Sequence, residues 1–296
     1  SKALVEKSSI DENAAWQRFL ERKAQKLKHG QATPFRSIHN AWFKVAAAIV
    51  FFLGGDPSAI LGSGMGTSAP TEQRALTAEE KRIEELISMI TAENEQTWAA
   101  IFSENGMEYN PAKVVLFEGT TQSGCGTAQA AMGPFYCPSD QTVYMDMSFF
   151  SELQNRFGAQ VTEFSVAYVM AHEMGHHVQN LLGTLSKTEQ IRRSGRYSES
   201  DMNQISVATE LQADFYAGLW AKYTENRERF LEPGDLEAAI NAAEAVGDDN
   251  IQKRSQGYVN QESFTHGSSA QRREWFMKGY NTGDITQGDT FSALLK

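Results

Sequence analysis

Val169-Met170-Ala171-His172-Glu173-Met174-Gly175-His176-His177-Val178-Gln179 spells H-E-x-x-H inside an apolar run with helical spacing. On a helix, residues four apart share a face, so His172 and His176 can present imidazole nitrogens to one metal ion. Glu173, about 100° further round, can reach a water activated by that metal and act as its general base. His177 follows His176 directly and points off in another direction, as a packing or surface residue rather than a ligand. Two ligands and a base leave the coordination sphere incomplete, so the rest of the chain must supply a third ligand.

A catalytic zinc site keeps three protein ligands and an open position. The long-spaced solution would put glycine three residues after His176 and histidine six after it; Gln179 and Leu182 stand there instead, which excludes it. The other common solution is a glutamate on a second helix packed across the first. Thr209-Glu210-Leu211-Gln212-Ala213-Asp214-Phe215-Tyr216-Ala217-Gly218 offers Glu210 and Asp214 four apart, flanked by apolar residues. Two acids at that spacing usually face water, but carboxylates on the inner side of a helix need a partner, since an unpaired buried charge is costly. With H-E-x-x-H upstream, Glu210 is read as the third ligand. Asp214, one turn on, is placed to accept a hydrogen bond from the distal nitrogen of a ligating histidine and fix its tautomer.

The chain has 296 residues and a net charge of −10, room for a substantial core and no basic stripe of the kind a nucleic-acid binder needs. Charge is uneven: Ser1 to Lys44 carries nine basic against four acidic residues, leaving −15 for the remainder. This basic segment (1–40) leads into an apolar stretch (41–61) centred on Val45 to Leu53, the order expected of a single-pass anchor with its N-terminus in the cytoplasm. Its length falls short of the roughly 20 apolar residues of a spanning helix, so a buried helix or a signal-peptide core is the competing reading. A small-residue linker (62–76) follows, and then a main domain (77–296).

Within that domain, Thr77 and Glu80 predict a capped helix from about Ala78 to Phe102. Val114 to Phe117 and Thr142 to Asp146 read as strands joined by a glycine-dotted loop, and Ser148 caps a short helix ending at Gly158. The motif helix opens at Glu163 and stops near Gly183. Further helices are expected at about Asp201 to Tyr223, Asp235 to Val246 and Ser269 to Tyr280. The fold class is α+β, mostly helical with a small antiparallel or mixed sheet. Cys125 and Cys137 are too few for a structural zinc knuckle; they suit a disulfide in an oxidising compartment or buried thiols in a reducing one.

Together with Gly124-Cys125-Gly126, Gly133-Pro134-Phe135-Tyr136-Cys137-Pro138, Thr142-Val143-Tyr144, Gly247-Asp248-Asp249 and Ser263-Phe264-Thr265-His266-Gly267-Ser268, these segments resemble the neutral zinc metallopeptidases of bacteria. The resemblance runs from about Ala78 to the C-terminus; Ser1 to Asn40 is longer and more basic than the family pattern. It implies a gluzincin-like zincin domain behind an N-terminal hydrophobic segment, and hence a catalytic domain on the outer side of the bacterial inner membrane, with a secreted or soluble chain as the alternative. Some membrane-associated gluzincins carry a similar histidine turn followed by an arginine, here His266 and Arg272. This implies that His266 donates a hydrogen bond to the developing oxyanion, the plainer reading being a helix-capping turn with Arg272 in a structural ion pair.

The expected function is zinc-dependent peptide-bond hydrolysis: Zn2+ held by His172, His176 and Glu210, Glu173 as base, Asp214 behind the ligands, and a peptide or protein substrate lying along an edge strand around Tyr144 to Met147. The competing class is a zinc-stabilised binding or assembly module of the cell envelope without useful turnover. A serine or cysteine hydrolase is disfavoured, since no G-x-S-x-G elbow is present.

Overall fold

The motif helix, Glu163–Leu181, is the element around which the others pack. Fourteen of its residues are buried, because its apolar positions recur on nearly every side, and it ends ahead of Gly183, whose φ of 78° leaves helical space. Gly175 sits where the crossing helix comes closest: a Cβ there would lie 3.0 Å from the Ala213 carbonyl oxygen.

The computed structural model describes residues 49–52, 78–117, 119–129, 133–146, 149, 163–228 and 234–295. In chain order they form β1 (Ile49–Phe52), α1 (Ala78–Glu104), β2 (Lys113–Phe117), β3 (Thr120–Ser123), β4 (Gly126–Gln129), β5 (Phe135–Cys137), β6 (Thr142–Asp146), α2 (Glu163–Leu181), α3 (Thr184–Ser194), α4 (Glu199–Glu228), α5 (Asp235–Ala245), α6 (Asp248–Gln256), α7 (Ser269–Thr282) and α8 (Thr290–Leu294). The architecture is α+β and mostly helical. Among the described residues no helix is long and apolar enough to cross a membrane. The basic segment, the linker, the helix expected after Ser148 apart from Phe149, and the 41–61 stretch apart from Ile49–Phe52 lie outside the described residues; Ile49–Phe52 is a strand paired with β2 and not part of a spanning helix.

The main sheet is mixed, in the order β1-β2-β6-β5: β1 and β6 run parallel to β2, and β5 antiparallel to β6, pairing Phe135 with Tyr144 and Cys137 with Thr142. This corrects the expectation of an edge over Tyr144 to Met147 at Tyr144: β6 pairs with β2 along its whole length and with β5 over residues 142–144, and all five of its residues are buried; Met147 lies outside the described residues. The outer strands are β1 and β5. The glycine-dotted loop holds β5 and the hairpin β3–β4, and Cys125 at the hairpin turn is disulfide-bonded to Cys137. Closing that short loop contributes about 3 kcal/mol in the chain-entropy account.

Helices α4 and α7 run backbone against backbone. A Cβ at Gly218 would collide with the Phe276 carbonyl oxygen, and one at Gly279 with that of Phe215. This close approach brings Asp214 of α4 and Arg272 of α7 within reach of one another. Three helices escaped the sequence reading, α3, α6 and the five-residue α8. α3 buries none of its residues and so carries no continuous apolar stripe; α6 spans only nine residues and buries Asp248 alone.

On α1, Glu95 is 3 % exposed; one carboxylate oxygen accepts from the Ala112 N–H (3.1 Å) and the Tyr109 hydroxyl (3.2 Å), and the other has no hydrogen-bond partner among the described residues. Burial lifts its pKa from 4.5 to about 7 against the pull of those two donors. The folded chain therefore binds more protons than the unfolded one between these values. The favourable contribution is complete below about pH 4.5 and is lost as pH rises through about 7. Glu95→Gln should remove this slope, so that its stability relative to wild type rises by roughly 3 kcal/mol between pH 4 and pH 8. Denaturant titrations at both pH values measure it, and parallel curves for the two proteins would contradict it.

Candidate metal centre

His172 and His176 project from one face of α2, their rings 4.9 Å apart and nearly perpendicular. Glu210 arrives from α4, with Oε2 3.1 Å from His172 Nε2 and Oε1 3.5 Å from His176 Nε2. These three side chains each offer a donor atom, all within 4.8 Å of one another. Zinc–nitrogen and zinc–oxygen bonds of about 2.1 Å in a tetrahedron imply donor separations of about 3.4 Å, and the two observed spacings lie on either side of that value. The donor set therefore fits a zinc ion.

The electrostatics fit as well. Burial works against charge on both histidines, but Asp214 and Glu210 more than reverse it at His172, holding its pKa at about 10, and Glu210 raises that of His176. Glu210 is itself held well below the usual carboxylate range: the two histidines outweigh the burial that would lift it. Surroundings that draw protons onto two imidazoles also favour a cation between them.

Behind the donors lies a shell that orients them. His172 Nδ1–H donates to Asp214 Oδ1 at 2.8 Å, leaving Nε2 for the metal, as the sequence led us to expect. Asp214 is fully buried and is clamped bidentately by Arg272, from Nε to Oδ2 at 2.8 Å and from Nη2 to Oδ1 at 2.9 Å, while the Tyr168 hydroxyl donates to Oδ1. With the guanidinium and His172 beside it, Asp214 sits at about 2 although burial opposes the charge. Arg272 is thus a structural ion pair. The second ring is set by a residue whose role the sequence reading missed: His176 Nδ1–H donates to Gln179 Oε1 at 2.8 Å, and Gln179 Nε2 donates to the Thr209 carbonyl and to Gln212 Oε1. Its position three residues after His176, on the same face, was the available signal.

Glu173 is 7 % exposed and lies beside the donors; burial pushes its pKa up, and the charges on His176 and His172 partly offset this. His172, Glu173, His176 and Glu210 all open onto one cavity of about 610 Å³. Phe135, Tyr136, Phe149, Leu185, Met202 and Ile205 are among the residues that line it. His266 lines the same cavity, half exposed, with Nδ1 2.9 Å from Thr265 Oγ1 and 3.4 Å from Asp248 Oδ1. Asp248 also accepts the backbone N–H groups of Thr265, His266 and Gly267 on Oδ2, which fixes the turn. The hydrogen bond that His266 donates to Asp248 raises the pKa of His266 over the opposing effect of burial. Ser268 caps α7 in a reciprocal box with Gln271, so the turn is at once a helix cap and part of the cavity wall. His177 stands apart from the donor cluster, fully buried, and burial lowers its pKa.

A family model described as "Putative neutral zinc metallopeptidase" matches residues 28–291. Among the chain's relatives, the uncharacterized protein YpfJ of Escherichia coli K12 is 43 % identical over 233 residues, 77 % of this chain and 80 % of the relative. The uncharacterized protein Rv2575 of Mycobacterium tuberculosis H37Rv is 46 % identical over 194 residues, 62 % of this chain and 64 % of the relative. No solved structure gives a significant match. A match over nearly the whole length, on a chain whose two imidazoles and carboxylate converge as a zinc site requires, places it in the neutral zinc metallopeptidase family.

Proposed function

We propose that the chain is a zinc-dependent endopeptidase of zincin type. The observation that carries the reading is Glu173, a buried carboxylate beside three convergent metal donors in one open cavity. His172, His176 and Glu210 would hold the zinc, which when bound supplies Lewis acidity that activates water and polarises the scissile carbonyl. Glu173 takes the proton from the attacking water and passes it to the leaving amine; its raised pKa brings it towards the operating pH, where a general base works best. Asp214 and Gln179 hold the two rings in the tautomer that leaves Nε2 free. His266, oriented by Asp248, which also raises its pKa, donates from Nε2 to the developing oxyanion.

The substrate main chain adds to β5, whose outer side carries no strand among the described residues. We also propose that the domain faces an oxidising compartment, a reading supported by the Cys125–Cys137 bond. Two free thiols counted in the denatured, unreduced chain would contradict it.

Chelation should abolish hydrolysis of unfolded casein, and one equivalent of zinc should restore it. One zinc per chain with no hydrolysis would favour the binding-module reading instead. In the same assay, His266→Ala should lower kcat by roughly 10²-fold with zinc content unchanged; full turnover would remove His266 from the mechanism.

A further inference from the structure

His177 follows a metal donor in sequence, yet its ring is engaged on the opposite errand. Its Nε2 lies 2.7 Å from the Asn110 carbonyl oxygen, in the segment joining α1 to β2. A carbonyl only accepts, so Nε2 carries the proton. Nδ1 is then the acceptor, and the partner 3.0 Å away is the hydroxyl of Tyr136. Asn180, three residues on and on the same helical face, donates its amide to that hydroxyl, also at 3.0 Å. The Tyr136 and Tyr109 rings meet the imidazole edge-on. Tyr136 is the middle residue of β5, one of the two outer strands of the sheet, and it lines the cavity that holds the donor cluster.

We propose that His177 is a positioning residue: acting through Tyr136, it sets the level of the substrate-bearing strand β5 against the metal-binding face of its own helix. The geometry favours this over simple core filling. An apolar ring would fill the same space, but only a tyrosine hydroxyl held between Nδ1 and the Asn180 amide defines an offset along the helix axis. A strand with one open side is the element whose register most needs such a pin, because slippage by one residue turns every side chain to the other face. Met174 to Val178 is one rigid helical stretch, so the pin refers β5 directly to His176.

The inference rests on the reading of β5 as the peptide-docking edge, and the test separates the two. Binding is measured without turnover in a zinc-loaded Glu173→Gln background, using fluorescence anisotropy of a labelled, unfolded casein fragment. Tyr136→Phe and His177→Gln should each raise Kd roughly five- to tenfold, the loss expected for one hydrogen bond, and the pair together no further than either alone. In the otherwise native chain, KM should rise by the same factor with kcat and zinc content held. Nitrogen NMR of the wild type should show His177 in the Nε2–H form, with the Nδ1 signal moving in Tyr136→Phe. Tyr136→Phe keeps the ring and decides the matter alone if His177→Gln does not fold. Unchanged Kd, additive effects, or lost zinc at constant KM would overturn the proposal. A parent chain that hydrolyses nothing while Kd shifts as stated would remove the peptidase reading and leave the positioning role standing.

Discussion

Glu173→Gln should bind one zinc per chain, melt no lower than wild type, and hydrolyse unfolded casein about 10³-fold more slowly, the usual worth of a positioned general base. The separation of these effects follows from its place. Glu173 is absent from the converging donors, so its removal takes nothing from metal binding. It is also a buried carboxylate whose charge is disfavoured by its surroundings, so a neutral amide of the same shape relieves a desolvation cost rather than creating one. Zinc content by mass spectrometry, thermal melting and initial rates measure the three together. Loss of metal in this variant would make Glu173 a ligand, and undiminished rates would transfer the proton to another group.

Arg272→Ala should destabilise the fold by about 3–5 kcal/mol, the cost of leaving a buried carboxylate without its cation. Asp214 has no solvent contact, and Arg272, itself 4 % exposed, supplies both of its guanidinium bonds. Without the clamp Asp214 keeps the Tyr168 hydroxyl and the His172 ring, so its charge has to be met by a histidine that should instead be neutral for the metal. Zinc affinity should fall with stability, by roughly 10- to 100-fold. Arg272→Lys should recover only part of both losses, since an ammonium cannot make the paired contact. Denaturant unfolding of the metal-free chain and competition against a chelator test the two effects separately. Wild-type stability in Arg272→Ala would mean that Asp214 is solvated and the clamp idle.

The helix pair was legible because both members carry chemistry in local spacing. His172, His176, Glu210 and Asp214 lie four apart in twos, and burying both pairs against each other leaves few arrangements open. Glu163 and Asp235 marked helix starts for the same local reason. Strand order was not legible. Thr142-Val143-Tyr144-Met145-Asp146 begins and ends on polar residues and reads as an exposed edge, yet its interior position is decided by β5, which pairs back on it through a tight reversal, and by β2, some 30 residues earlier. Gln179 was noticed only as the residue that broke a competing pattern, although helical spacing already set it over His176. Asp248 and His266 are separated by 18 positions, and only the turn after α6 brings them together.

The meeting of α4 and α7 at Gly218 and Gly279 makes the metal centre sensitive to atoms it never touches. Asp214 lies one turn before Gly218 on α4, and Arg272 two turns before Gly279 on α7, so the gap between the helices is the length the guanidinium must span. A single methyl group at either glycine would wedge the helices apart against a carbonyl and pull the clamp off the carboxylate that orients His172. The two smallest residues in this helix pair thus work as a gauge block, and the coordination geometry is cut to the thickness they allow.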